Sequence, residues 1–226
     1  MNNHNREKNY YETRALLTLE RLNLFETGYL VKSERPDFIS ADGKYGVEVT
    51  RTVYEEDAVN NTIYEKNLKG KSFTNVRKDL LRRFYSNGAT PTFSHNVGLF
   101  PPDIIIGYAT KARWFSINHA CNTIKKKFQH INHTPYQESE ILNLYVFSES
   151  FRDYELHHIR RIIDEIKKET YNRRFNTIYF DDCGWFYECN LDSDTIRFFD
   201  TQAFLHDICV EAKAFVDKDD VSLNER

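Results

Sequence analysis

Apolar residues recur first at helical intervals and then at strand intervals along the chain. Within residues 7–25 they are spaced three or four apart, which is typical of an amphipathic helix. These positions are Tyr11, Ala15, Leu19 and Leu22. Residues 29–31 predict a short strand, and over residues 35–51 two more short strands flank an Asp-Gly turn, which is typical of a β-hairpin. The chain is therefore predicted to begin with a helix followed by strands.

The remaining patterns alternate between helices and strands. Helices are predicted over about 55–69, 73–86, 115–131, 153–169 and 201–215, and strands over about 141–147, 177–180, 184–189 and 195–199. The proline-containing region between the second and third of these helices is predicted to be largely loop. This order of elements predicts an α/β fold in a single domain over residues 1–226, with a charged tail at 217–226 that frays.

Composition narrows the class of protein. At 226 residues, with 40% apolar and 15% aromatic residues, the chain can bury one substantial core. No apolar run approaches the roughly 20 residues that span a membrane, and the N-terminus lacks the apolar core of a signal peptide. We therefore expect a cytoplasmic protein with no membrane partner. The four cysteines show no CxxC spacing, so structural thiols are favoured over a zinc site.

The charge of the chain bears on whether nucleic acid is a partner. A net charge of −3 is low for a nucleic-acid-binding protein, because phosphate contacts dominate that affinity. Basic residues are nevertheless clustered at 82–83, 125–127, 160–161, 167–168 and 173–174. Such clusters are either solvated helix faces or contacts to a polyanion. The overall charge therefore leaves nucleic acid open as a partner.

Two acidic residues of the predicted hairpin are candidate metal ligands. Glu48 lies between two valines, which is not the setting of an ordinary surface charge. Side chains alternate along a strand, which puts Glu48 and Thr50 on one face and the valines on the other. Pairing of the two strands would bring Asp37, at the start of the first strand, close to Glu48. Two converging carboxylates suit a hard divalent cation such as Mg²⁺.

The order Pro36-Asp37, ten intervening residues and Glu48-Val49-Thr50 resembles the core motif of the PD-(D/E)XK nuclease superfamily. The resemblance implies a restriction-endonuclease-like fold, with a mixed central sheet flanked by helices. It also implies an endo- or exonuclease that hydrolyses phosphodiester bonds, in DNA more often than in RNA, with Mg²⁺ or Mn²⁺ as cofactor. Asp37, Glu48 and the carbonyl of Val49 would hold the metal. Thr50 occupies the place of the family's lysine, and it can donate a hydrogen bond but cannot supply a positive charge.

In some members of the superfamily a lysine from a helix replaces the missing one. The segment 124–132 is similar to that variant motif, and the helical arc of Ile124 and Phe128 leaves Lys127 nearest to the buried side. The resemblance therefore makes Lys127 the candidate for the missing ammonium group. The alternative is that Lys127 belongs to a basic surface helix that contacts phosphate or nothing.

Glu12 is a further candidate, at the edge of the apolar arc of the first helix. In the superfamily a glutamate from this helix helps to bind or position the metal or its waters. The alternative is that Glu12 is a partly buried acid that pairs with Arg14 or with a lysine of a neighbouring element.

Two functions besides nuclease activity stay open. The Glu-x-Thr departure is compatible with a catalytically inactive nuclease-like module that binds nucleic acid or protein, and a different hydrolase or a toxin component on the same fold is the other option. The sequence contains no nucleophile elbow and no Gly-rich phosphate loop, which disfavours acyl transfer and nucleotide hydrolysis. A homodimer is one of the oligomeric states that the sequence allows.

Overall fold

A computed structural model describes residues 3–52, 55–94, 103–110, 116–148 and 154–224. The chain divides into two compact units, of which the larger comprises Met1–Thr52 with Phe115–Arg226 and the smaller comprises Val53–Trp114. The single domain over residues 1–226 stays a prediction. Pro101 and Pro102, which belong to the predicted loop, lie outside the described residues.

The larger unit is built on a seven-stranded mixed sheet. Its strands are β1 (Leu30–Lys32), β2 (Phe38–Ser40), β3 (Tyr45–Arg51), β6 (Ile141–Phe147), β7 (Thr177–Asp182), β8 (Trp185–Asn190) and β9 (Thr195–Asp200). In the sheet they lie side by side in the order β1-β2-β3-β6-β7-β8-β9. The central strands β3, β6 and β7 are parallel, and the remaining pairs are antiparallel. The predicted α/β class with a mixed sheet is therefore confirmed.

Helices cover both faces of this sheet. They are α1 (Asn3–Arg21), α4 (Ile117–His133), α5 (Leu156–Lys167) and α6 (Gln202–Asn224). Strand β6 separates two hydrophobic cores, because Leu144 contributes to the core with α4 and α5 while Tyr145 contributes to the core with α1. Helix α6 contacts α1. Across the ranges described, no helix combines the length and apolar character needed to cross a bilayer.

The smaller unit has its own core. Its helical segments are α2 (Glu55–Ile63), a π-helical turn at Tyr64–Leu68, a 3₁₀ turn at Phe73–Asn75 and α3 (Lys78–Ser86). Strands β4 (Ala89–Phe93) and β5 (Ile105–Thr110) form an antiparallel pair. Leu68, Phe84 and Ile105 are fully buried in this unit. The region around Pro91 was predicted to be loop, and it is strand here because a two-stranded sheet leaves one edge of each strand unpaired, which tolerates proline.

Helix α6 is longer than predicted. It was expected to end near residue 215, but it continues to Asn224, so most of the tail that was predicted to fray is helical. Arg6 of α1 forms an ion pair with Asp217, which attaches the beginning of this tail to the neighbouring helix. The many charged residues of this tail are therefore compatible with a helix. Residues 225–226 lie outside the described part of the chain.

Candidate functional site

The hairpin brings the two predicted acids together. Phe38 of β2 pairs with Val47 of β3, and extending this antiparallel register by one residue sets Asp37 opposite Glu48. Asp37 is 4% exposed and Glu48 is 6% exposed. Buried carboxylates are costly unless they are paired or bind a cation, so this arrangement requires partners for both acids.

Local sequence explains how the hairpin holds Asp37 in place. The turn is formed as predicted, with Gly43 at a φ of +73° and Oδ1 of Asp42 accepting a hydrogen bond from the backbone N–H of Lys44. At Gly46 an added Cβ would lie 2.8 Å from the ring of Pro36, so only glycine permits this approach. Pro36 can therefore lie directly against β3, and this close approach positions Asp37.

Asp37 has one backbone partner and one lysine partner. Its Oδ2 accepts a hydrogen bond of 2.8 Å from the backbone N–H of Val49. Its Oδ1 lies 3.2 Å from Nζ of Lys8. The N–H and C=O groups of one strand residue project from the same edge of the strand. Because the N–H of Val49 is directed at Asp37, the carbonyl of Val49 projects from the edge of β3 that faces Asp37. The predicted third oxygen ligand therefore lies on the same side as the two acids.

Glu48 has a lysine partner and a phenol partner. Its Oε1 accepts a hydrogen bond of 2.6 Å from Nζ of Lys127, on α4. Its Oε2 is buried and has no hydrogen-bond partner among the residues that the structure describes. Burial raises the pKa of Glu48 above its ordinary value, and the neighbouring charge of Asp37 raises it further. The positive charge of Lys127 and hydrogen bonds from Lys127 and Tyr136 oppose this shift without cancelling it. The ionised form of Glu48 is thus only partly compensated.

Tyr136 is a further neighbour of Glu48. It is 8% exposed and follows α4 in the chain. Burial and the adjacent Glu48 carboxylate together raise the pKa of the Tyr136 phenol, which keeps it protonated near neutral pH. A protonated phenol can donate a hydrogen bond into the site.

Glu12 lies near these acids, and lysines neutralise it. The residue is 2% exposed, its Oε1 is 3.1 Å from Nζ of Lys8, and its Oε2 is 2.8 Å from Nζ of Lys32, on β1. Arg14 instead pairs with Asp181 at 3.1 Å, so of the two alternative partners for Glu12 the lysines are the ones observed. Although burial alone would lower the pKa of Lys8, Asp37 and Glu12 outweigh it and raise that pKa, so Lys8 is charged at neutral pH.

Four of the predicted side chains are therefore brought together: Asp37, Glu48, Lys127 and Glu12. Thr50 lies two residues beyond Glu48 on β3, half-buried and on the same face by strand alternation. Lys8, Lys32 and Tyr136 were not predicted. The spacing of Lys8 and Glu12, four residues apart on one helix, was the one available signal, because such pairs face each other.

The side chains present fit a hard divalent cation. The site offers the carboxylates of Asp37 and Glu48 and the backbone carbonyl of Val49, all of which bind metals through oxygen. One of these oxygens, Oε2 of Glu48, is buried and has no hydrogen-bond partner in the described ranges. Within the described ranges no group of three or more His, Cys, Asp or Glu residues is arranged to hold a metal ion. Mg²⁺ is commonly held by only one or two carboxylates, with waters and substrate phosphate completing its six ligands. A two-carboxylate site is therefore chemically sufficient for Mg²⁺.

Glu48 gives a prediction about stability. The pKa of Glu48 is raised in the folded protein. The protonated carboxyl group therefore favours folding below the unfolded-state pKa, and this contribution is lost as the pH rises through the folded-state pKa. At neutral pH the buried carboxylate lowers the free energy of unfolding. Glu48→Gln removes the destabilisation caused by the buried charge, and the ammonium group of Lys127, which is partly exposed, can become solvated. In buffer without divalent metal we expect the melting temperature at pH 7 to rise by about 2–4 °C, the effect of roughly 1 kcal/mol. The gain should shrink towards pH 4, and a lower melting temperature at pH 7 would contradict this description of Glu48.

Comparisons with known proteins add no family assignment. Neither protein-family models, nor curated proteins, nor solved structures match this chain. The resemblance to the nuclease superfamily therefore depends on the motif at residues 36–50, on Lys127 of α4 and on the arrangement of these side chains around Glu48. The α/β architecture with a mixed sheet does not depend on that resemblance.

Proposed function

We propose that this chain is a metal-dependent nuclease with a restriction-endonuclease-like fold, acting in the cytoplasm on phosphodiester bonds in DNA more readily than in RNA. The observation that supports this best is the buried pair of Asp37 and Glu48 on adjacent strands, with an ammonium group 2.6 Å from Glu48. Acids and a lysine in this arrangement favour hydrolysis of a phosphate ester over acyl chemistry. The parallel centre of the sheet, with helices on both faces, agrees with the proposed fold.

Each residue has a distinct role in this proposal. Asp37, Glu48 and the carbonyl of Val49 would hold Mg²⁺ or Mn²⁺. When bound, the metal supplies a water of lowered pKa and neutralises charge on the scissile phosphate. Lys127 holds a positive charge beside Glu48, where it can orient the attacking water or stabilise the extra negative charge of the transition state. Thr50 can donate a hydrogen bond from the same face.

The surroundings of the acids suit a polyanionic substrate. The side chains of Lys8 and Lys32 are 51% and 55% exposed, and each reaches a buried carboxylate from the solvent side. Lys127 adds a third ammonium group that is 25% exposed. Positive charge around a buried acidic centre attracts the nucleic-acid backbone even though the net charge of the chain is −3.

A catalytically inactive module that binds nucleic acid or protein is the second candidate. One observation favours it: Lys8 and Lys32 already neutralise Glu12, and Lys8 also reaches Asp37, so these acids have counter-ions without a metal. Titration with Mn²⁺ separates the candidates. A site that is lost in Glu48→Ala favours the nuclease, and no site in the native chain favours the module.

A cleavage assay tests the proposal directly. Supercoiled plasmid, linear duplex, single-stranded DNA and RNA would each be incubated with the protein in Mg²⁺, in Mn²⁺ and in EDTA. We expect cleavage with either metal, and no cleavage in EDTA, because the lysines cannot activate water without the cation. Cleavage that persists unchanged in EDTA, or no cleavage of any substrate under all conditions, would contradict the proposal.

A further inference from the structure

Lys8 occupies a position between two buried carboxylates of the candidate site. Its Nζ lies 3.1 Å from Oε1 of Glu12 and 3.2 Å from Oδ1 of Asp37. Both acids are almost fully buried, whereas the Lys8 side chain is 51% exposed. A half-exposed side chain therefore places one positive charge beside two acids that have little access to water.

The contacts of Lys8 are weaker than those of Lys127. Charge-assisted N–H···O hydrogen bonds are usually about 2.7–2.9 Å long, and both Lys8 contacts exceed this range. Neither carboxylate oxygen of Glu12 makes a hydrogen bond of ordinary geometry within the described structure. Lys127 and Glu48, by contrast, form a hydrogen bond of 2.6 Å. The attraction between Lys8 and the acids is thus mainly electrostatic, and it can be exchanged for another cation.

We propose that Lys8 is a tethered counter-ion, which neutralises Glu12 and Asp37 in the metal-free protein and is displaced when a divalent cation binds at Asp37 and Glu48. The inference rests on the proposed metal-dependent function. Without Lys8 the buried acids would lose a counter-ion, which is strongly unfavourable, so the residue holds the site in a competent arrangement before metal arrives. The same residue must then compete with the metal for Asp37.

Competition between Lys8 and the metal for Asp37 predicts that removing the charge of Lys8 raises the affinity for the metal. Lys8→Met keeps the length of the side chain and removes its charge, so a dication no longer has to displace an ammonium group or tolerate it a few ångströms away. We expect calorimetry to give Mn²⁺ binding about tenfold tighter than in the native chain, a difference of about 1.4 kcal/mol. Lys32→Met is the matched control, because Lys32 contacts Glu12 but has no ion pair with Asp37 among the described residues.

The outcomes of this titration are separable. Binding that is tighter in Lys8→Met than in both the native chain and Lys32→Met supports displacement. Binding in Lys8→Met that is no tighter than in the native chain, or no tighter than in Lys32→Met, overturns this inference and leaves the metal site intact. No Mn²⁺ binding in any of the three proteins overturns the proposed metal-dependent function itself.

Amine reactivity gives a second measurement on the native chain. Reductive methylation followed by mass spectrometry measures how fast each lysine amine reacts, and an amine held in an ion pair reacts more slowly than a solvated one. We expect the methylation rate of Lys8 to rise when Mn²⁺ saturates the protein, because the ammonium group leaves its two carboxylates. Lys126, which is exposed on α4, serves as the internal reference and should not change. A Lys8 rate that is the same with and without saturating Mn²⁺ would overturn the displacement.

Discussion

Asp37→Asn is expected to abolish metal-dependent cleavage while the protein remains folded. The substitution preserves shape and removes the charge on which a dication depends. Metal-ion catalysis provides several kcal/mol of transition-state stabilisation, and each 1.36 kcal/mol corresponds to tenfold in rate, so the loss should be at least about a thousandfold. The rate of plasmid cleavage in Mg²⁺ measures it.

Folding of the Asp37→Asn variant is checked separately by thermal unfolding. Its amide oxygen can still accept the hydrogen bond from Val49, and the repulsion with Glu48 disappears, so the melting temperature should not fall sharply. Glu34→Gln is the matched control, because Glu34 is exposed and precedes Asp37 by three residues. Cleavage by Asp37→Asn at the native rate would remove Asp37 from the site.

Lys127→Met is expected to have the second largest effect. The positive charge beside Glu48 is lost, and preorganised electrostatic groups of this kind typically contribute about 10²–10³-fold to the rate. Lys127 also lowers the pKa of Glu48, so its removal should shift the acid limb of the pH–rate profile to higher pH. A pH–rate profile in Mg²⁺ measures both effects at once.

The control for Lys127 is its neighbour. Lys126 is exposed on the same helix, so Lys126→Met removes an equal charge without touching Glu48. The control should retain nearly native activity and an unshifted profile. Equal losses in the two variants would mean that α4 contributes only general positive charge, as in the surface-helix alternative for Lys127.

The parts of the site that could be predicted depend on short-range patterns. Strand alternation and the Asp-Gly turn act within residues 35–51, and they are sufficient to bring Asp37 and Glu48 together. Lys127 is 79 residues from Glu48 in the sequence. It could be predicted only from its position at the edge of an apolar helical arc together with the resemblance to the superfamily. The strand at 141–147 was predicted with its observed bounds because a continuous apolar run is typical of a buried parallel strand.

The parts that could not be predicted depend on long-range packing. Lys32 reaches Glu12 only because β1 pairs with β2 beside α1, and Arg14 pairs with Asp181 across 167 residues. No local period contains that information. The two compact units have no local sequence signature for the same reason, since the smaller unit is recognised by its separate core and not by a linker composition.

Asp37 and Glu48 are expected to hold a divalent cation together. Anomalous X-ray diffraction from crystals soaked in Mn²⁺ tests it most directly. We predict one anomalous peak between the two carboxylates, within about 2.3 Å of an oxygen of each, in the range of oxygen ligands to hard cations, and no such peak in Asp37→Asn crystals. A peak elsewhere, or no peak, would contradict a shared metal site at Asp37 and Glu48.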